Sequence, residues 1–218
     1  MGSTALGLPC IGCTLGDVTR LWTGIALAVA AAALAGCGGK ASAAKPAAAP
    51  RCSAAARAGW QRLANRIHAP VYCPAWLPDP LTGVIGSRDN NINEVSKDRS
   101  YLESWVWQET GAGAAGGELH VNLRGYPGVT AVPRCRNADT NQAIPCFADA
   151  RGTKRVGSIV ATLYTVNQDA DQWHVAYGWR YRGSFYTLSE HVAPPLSYAK
   201  VVRYLDREVR SLQLINPS

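Results

Sequence analysis

Residues 172–192 read QWHVAYGWRYRGSFYTLSEHV. In Gln172–Arg182 every second residue is large: Trp173, Val175, Tyr177, Trp179 and Tyr181 alternate with His174, Ala176, Gly178, Arg180 and Arg182. That is the period of a strand, whose side chains point to opposite faces in turn. Arg182-Gly183-Ser184 supplies turn residues, and Phe185–Val192 returns as a second strand. An antiparallel hairpin is the simplest structure for this stretch, and it makes the sheet the centre of the fold.

Working outward, the same period recurs. Ser158–Val166 and Lys154–Gly157 form one long or two short strands, joined to the hairpin through a polar turn at 167–171. Ser100–Glu109 sets Leu102, Ser104 and Val106 against Tyr101, Glu103, Trp105 and Trp107, and Glu118–Arg124 alternates through Leu119, Val121 and Leu123. The segment GAGAAGG at 111–117 links these two as a long glycine-rich connection. Leu81–Gly86 is a further predicted strand and 87–99 a polar loop. Three prolines at 70, 74 and 78 impose an extended path before it.

The ends of this region have the helical period instead. Ala56, Trp60, Leu63 and Ile67 form one stripe in residues 53–68, with Ser53 as a cap and Pro70 as a stop. After Pro194-Pro195, Tyr198, Val201, Val202, Leu205, Val209 and Leu212 form another, with Asp206 and Arg210 spaced as an i,i+4 pair. The predicted class is α+β: an antiparallel β-sheet meander with an N-terminal and a C-terminal helix packed on it.

The first part of the chain is of a different kind. Arg20 precedes LWTGIALAVAAAALAG at 21–36, an uncharged run shorter than the ~20 residues of a spanning helix, ending in small residues. Leu34-Ala35-Gly36-Cys37 resembles the lipobox of bacterial lipoproteins. The resemblance implies that 1–36 is a signal peptide, that Cys37 carries a diacylglycerol after cleavage before it, and that the protein is lipid-anchored at the cell membrane with its domain on the extracytoplasmic side. Palmitate is among the acyl chains such a lipoprotein carries. The chain contains one Met, and a start at Val18 gives a compact signal, so 1–17, including Cys10 and Cys13, are read as a start-site misassignment. Residues 38–51, GGKASAAKPAAAPR, read as a flexible tether behind the lipidated Cys37, leaving 52–218 as one extracytoplasmic domain.

Four cysteines remain beyond Cys37: Cys52, Cys73, Cys135 and Cys146. An even number in an exported domain implies disulfide bonds. Three pairings exist, and proximity favours 52–73 and 135–146. The second needs only that RNADTNQAIP form a loop. The first is tight, because a helix over 54–67 advances ~21 Å and six residues return only ~20 Å; it calls for a shorter helix or a bend. Pro70-x-Tyr72-x-Pro74-x-x-Leu77-Pro78, and Trp179-x-x-x-x-Ser184-Phe185-Tyr186-x-Leu188 followed by the last helix, resemble extracytoplasmic domains of bacterial lipoproteins and anti-sigma factors. That resemblance carries no catalytic residue.

A net charge of +7 suits anionic headgroups or wall polymer, whereas the scattered basic residues and the export signal speak against nucleic acid. No G-x-S-x-G, H-E-x-x-H or phosphate loop is present. His68, His120, His174 and His191 show no metal-ligand spacing, Ser189, Glu190 and His191 cannot form a triad by themselves, and Glu103, Glu118 and Glu190 read as a solvated face. No metal, cofactor or catalysis is expected. The candidate ligand-binding residues are Trp105, Trp107, Arg180 and Arg182, aromatics beside cations that suit an anionic or carbohydrate envelope polymer or a protein partner. The expected function is a membrane-anchored, non-catalytic binding or accessory module of the bacterial cell envelope; the alternative is an envelope hydrolase or modifying enzyme with a dispersed site.

Overall fold

The computed structural model describes residues 51–111, 116–168 and 173–218. The expected signal segment, the expected lipobox with Cys37 and the expected tether up to residue 50 lie outside them, as do parts of the glycine-rich connection and of the polar turn. Among the described residues no helix is long and apolar enough to cross a membrane.

The expected fold class is the observed one. Helix α1 (Ala54–Ile67) and helix α2 (Tyr198–Ser211) pack on one face of a seven-stranded antiparallel sheet. The sheet strands are β2 (Asn90–Val95), β3 (Tyr101–Gln108), β4 (Glu118–Tyr126), β7 (Phe147–Val156), β8 (Ile159–Asn167), β9 (His174–Tyr181) and β10 (Ser184–His191), in the spatial order β2-β3-β4-β10-β9-β8-β7. Two small ladders complete it: β5 (Arg134–Arg136) with β6 (Ala143–Pro145), and β1 (Val71–Pro74) with β11 (Leu212–Ile215).

The hairpin of the opening stretch has the tightest of turns. Arg182 and Gly183 both have positive φ, 44° and 75°, and Tyr181 pairs directly with Ser184. A two-residue turn with both residues left-handed matches the twist of the strands it joins. It also fixes every later pair, down to His191 opposite His174.

The helix-facing side of the sheet holds the core. Tyr101, Trp105, Leu119, Val121, Leu123, Val175, Tyr177, Trp179, Tyr186 and Leu188 are buried there, as the alternation requires. Trp60 of α1 meets Tyr101 and Trp105 at ring distances of 6.4 and 6.2 Å, and its indole N–H donates to the Gly83 carbonyl at 2.8 Å. Full burial of such a side chain contributes about 1.5–3 kcal/mol. From α2, Val201, Leu205 and Val209 face the sheet, while Asp206 reaches Lys154 of β7 at 2.7 Å and accepts from the Tyr177 hydroxyl at 2.8 Å.

A second, smaller cluster lies around Phe147, Tyr164, Ala176 and Phe185, beside Cys146. Gly178 permits it: a Cβ there would stand 2.8 Å from the Phe185 ring and 2.9 Å from Tyr164. The β5–β6 hairpin joins this cluster through Cys135, bonded to Cys146.

Several expectations need correction. Leu81–Gly86 is not a strand; Gly83 packs against the Pro74 backbone and accepts the Trp60 hydrogen bond instead. The segment 87–99, read as a loop, contains β2, whose polar composition suits an edge strand. Leu212 does not continue α2. The Ser211 hydroxyl donates to the Glu208 carbonyl at 2.8 Å, competing with the helical ladder, and β11 then pairs with β1.

Both favoured disulfides are present, with Cα separations of 6.1 Å for Cys52–Cys73 and 4.9 Å for Cys135–Cys146. The first needs no shortened helix. His68, left-handed at φ 51°, reverses the chain within one residue of the helix end, and β1 then runs straight back. Ser53 caps α1 as expected, accepting from the Ala56 N–H at 3.2 Å.

Candidate metal centre

Three of the four histidines meet on the sheet face opposite the two helices. His120 comes from β4, His174 from β9 and His191 from β10, the strand between them. Strand alternation puts them there: Leu119 and Val121 point to the core, so His120 points away, and Val175 and Glu190 do the same for His174 and His191. One ring nitrogen from each lies within 4.8 Å of the others. His174 and His191 stack with planes 8° apart and centroids at 5.2 Å, while His120 stands edge-on to His174 at 4.6 Å.

A carboxylate and two hydroxyls complete the group. Glu118, two residues before His120 on the same strand face, places Oε1 3.0 Å from His191 Nδ1 and 3.4 Å from His120 Nδ1. His174 Nε2 lies 3.3 Å from His120 Nδ1. The far nitrogens are held as well: Ser104 Oγ is 3.1 Å from His120 Nε2, and Ser189 Oγ is 3.2 Å from His174 Nδ1. His174, Ser104 and Ser189 are buried, whereas the side chains of His120, His191 and Glu118 keep 18, 14 and 20% of their exposure. The group is therefore reachable from solvent on one side and anchored in the protein on the other.

Imidazole nitrogens and a carboxylate oxygen are the donors that zinc, copper and nickel take. Hydrogen bonds to the second nitrogen of each ring are what metal-binding histidines use to hold their orientation.

The buried carboxylates form a separate set on the helix side. Glu190 and Glu208 are both fully buried, and burial first, then their mutual charge, raises Glu190 far above the ordinary carboxylate value; burial raises Glu208. Glu103 is also buried, which pushes its pKa up to about 7, against the lowering effect of the Asn90 amide that donates to it at 3.0 Å. The reading of Glu103 and Glu190 as a solvated face is thus overturned, since the helices cover that side. Ser189 and His191 do point away from Glu190, as the alternation requires.

The sequence-derived ligand candidates do not form one site. Trp105 is a core residue with no exposed surface, packed against Trp60, and Trp107 is half-buried on the same side. Arg180 is exposed on the other face, where its Nε donates to the Thr130 carbonyl and its guanidinium lies 5.8 Å from the Phe185 ring centre. Arg182 sits at the hairpin turn, over the Tyr181 ring at 5.3 Å. Arg180, together with Val160 and Tyr181, borders a groove of about 400 Å³, but neither tryptophan of β3 lines it.

The histidines show no metal-ligand spacing along the chain, yet three of them converge in space. His120 and His174 are 54 residues apart, so no linear spacing reveals them. The usable signal was the hairpin: a two-residue turn at 182–183 puts His174 opposite His191 by counting alone.

Comparison with known protein families, with curated proteins and with solved structures returned no match for this chain.

Proposed function

We propose that this protein is a lipid-anchored module of the bacterial cell envelope whose extracytoplasmic domain binds a divalent transition-metal ion without catalysing a reaction. The observation that carries the metal reading is the convergence of His120, His174 and His191 with Glu118, on strands of a rigid sheet. Three strands, each fixed by its neighbours, place these donors with little freedom, so little entropy is lost when an ion gathers them. The anchoring half of the reading rests on Leu34–Cys37 at the end of an apolar run. Two disulfides in the domain suit an oxidising compartment. A tether of small residues lets the domain stand off the membrane surface while remaining attached to it.

The test is direct. The full chain, purified with its disulfides intact, is dialysed separately against zinc, copper, nickel and cobalt salts and analysed for bound metal. One ion per chain is expected, lost in the double variant His120→Ala/His174→Ala. Absence of stoichiometric binding, or equal binding by the variant, overturns the metal reading.

A further inference from the structure

The distances within the histidine group say more than that a metal can bind. In a tetrahedral site with bonds of about 2.0–2.1 Å, neighbouring donor atoms stand about 3.3–3.4 Å apart. Two of the distances already match this edge, His174 Nε2 to His120 Nδ1 at 3.3 Å and Glu118 Oε1 to His120 Nδ1 at 3.4 Å, and a third, Glu118 Oε1 to His191 Nδ1 at 3.0 Å, is a little shorter. The imidazole nitrogens lie within 4.8 Å of each other, and the remaining edges close when the His191 ring turns out of its stack with His174 to aim its lone pair at the same point.

Resting on the metal-binding reading, we infer that His120 Nδ1, His174 Nε2, His191 Nδ1 and Glu118 Oε1 form a closed tetrahedral N3O cage for zinc, and that Ser104 and Ser189 are the positioning residues that set it.

The role of the serines follows from the ring atoms. His120 offers its Nδ1 and His174 its Nε2, a mixed set that requires opposite tautomers. With the proton of His120 on Nε2, that N–H donates to Ser104 Oγ; with the proton of His174 on Nδ1, that N–H donates to Ser189 Oγ. Both serines are buried, on strands β3 and β10, and both stand opposite Asn122 of β4, in the row of side chains next to the histidines. Each hydroxyl leaves the lone pair of its histidine turned toward the ion.

Tetrahedral geometry with nitrogen and oxygen donors favours zinc, because copper(II) and nickel(II) prefer planar or tetragonal surroundings despite copper's higher intrinsic affinity. Four protein donors leave no position for a water, the position that a hydrolytic zinc site keeps open. The site therefore captures or stores its ion. Partial exposure of His120, His191 and Glu118 gives the ion a way in and out.

The experiment uses the full chain. Cobalt(II) serves as the spectroscopic probe and zinc as its competitor. Intense visible bands of tetrahedral cobalt are expected, abolished by one equivalent of zinc. Ser104→Ala and Ser189→Ala should each weaken zinc binding about 10–100-fold. Ser104→Thr and Ser189→Thr, which keep the hydroxyl, should restore it. Weak octahedral bands with stoichiometric binding overturn the closed cage but leave metal binding standing. Zinc affinity unchanged in both alanine variants overturns the positioning role. No binding of either ion overturns this inference and the metal reading together.

Discussion

His174 and His191 face each other across β9 and β10, and their rings stack with planes 8° apart. Eight residues lie in each strand of this hairpin, so the pair closes its open end, as far from the Arg182-Gly183 turn as the ladder reaches. His120 of β4, on the other side of β10, adds the third ring. The centre is a product of sheet register, and a slip of one residue in any of the three strands would turn a ligand to the core side.

An ion that binds only the folded chain stabilises it by mass action. At a concentration one hundred times the dissociation constant the gain is about 2.7 kcal/mol. Zinc should therefore raise the urea midpoint of the full chain, and a chelator should reverse the rise. The double variant His120→Ala/His174→Ala should give the same midpoint with and without zinc. An equal rise in that variant would place the stabilising ion elsewhere.

The buried acids predict a pH dependence with a definite sign. Glu190, Glu208 and Glu103 all have their pKa raised by burial in the folded chain, so the folded state holds protons that the unfolded chain gives up. The contribution of these three groups is then full below the ordinary carboxylate value of about 4.5 and is lost as pH rises through the raised values; for Glu103 the window ends near 7. Glu208→Gln keeps the shape and removes one titration. It should flatten the decline and gain about 1–3 kcal/mol above neutrality. Denaturant melts across about pH 5–9, which spans the raised values, decide it; parallel curves for the variant and the parent would refute the assignment.

Trp105 and Arg180 separate packing from surface recognition. Trp105→Ala empties a buried position between α1 and the sheet and should cost about 3–5 kcal/mol. Arg180→Ala removes an exposed cation and should shift stability by no more than about 0.5 kcal/mol. Circular dichroism melts of the two variants measure both. A Trp105→Ala protein with parental stability would contradict its place in the core.

The Cys52–Cys73 bridge closes a loop with a sequence separation of 21. Replacing both cysteines by alanine should cost about 3 kcal/mol, read as a lower denaturant midpoint. A variant as stable as the parent would show that α1 and β1 need no covalent link.

Cys37→Ser tests the anchor. The variant should lose acylation and move from the membrane to the soluble fraction, while the domain keeps its metal binding. Membrane partitioning equal to the parent would overturn the lipobox assignment.

The sequence made some of this structure legible and hid the rest for physical reasons. Alternation in 172–192 and 118–124 reported the strands and both of their faces, because one face of each carries large apolar residues. Trp60, Leu63 and Ile67 reported α1 in the same way. β2 escaped because an edge strand can be polar, and β11 because Leu212 fits the helical stripe as well as a strand. The candidate metal centre escaped for a different reason. Ligand motifs are visible when they share one element, as His120 and Glu118 do, but the other two rings come from strands whose adjacency depends on sheet order. The buried acids were misread because alternation shows that Glu103, Trp105, Leu188 and Glu190 share a side with apolar neighbours, not that two helices close over them.

The pairing of β1 with β11 has a consequence for the order of events in folding. Val71 stands opposite Ile215, so the first strand of the domain finds its partner only in a strand far along the chain, beyond the whole seven-stranded sheet. A chain made N-terminus first cannot complete this ladder until Ile215 has been added, and closing so long a loop is entropically slow. Until then α1 and β1 are held by their own covalent staple, a latch that lets the beginning of the domain wait for its end.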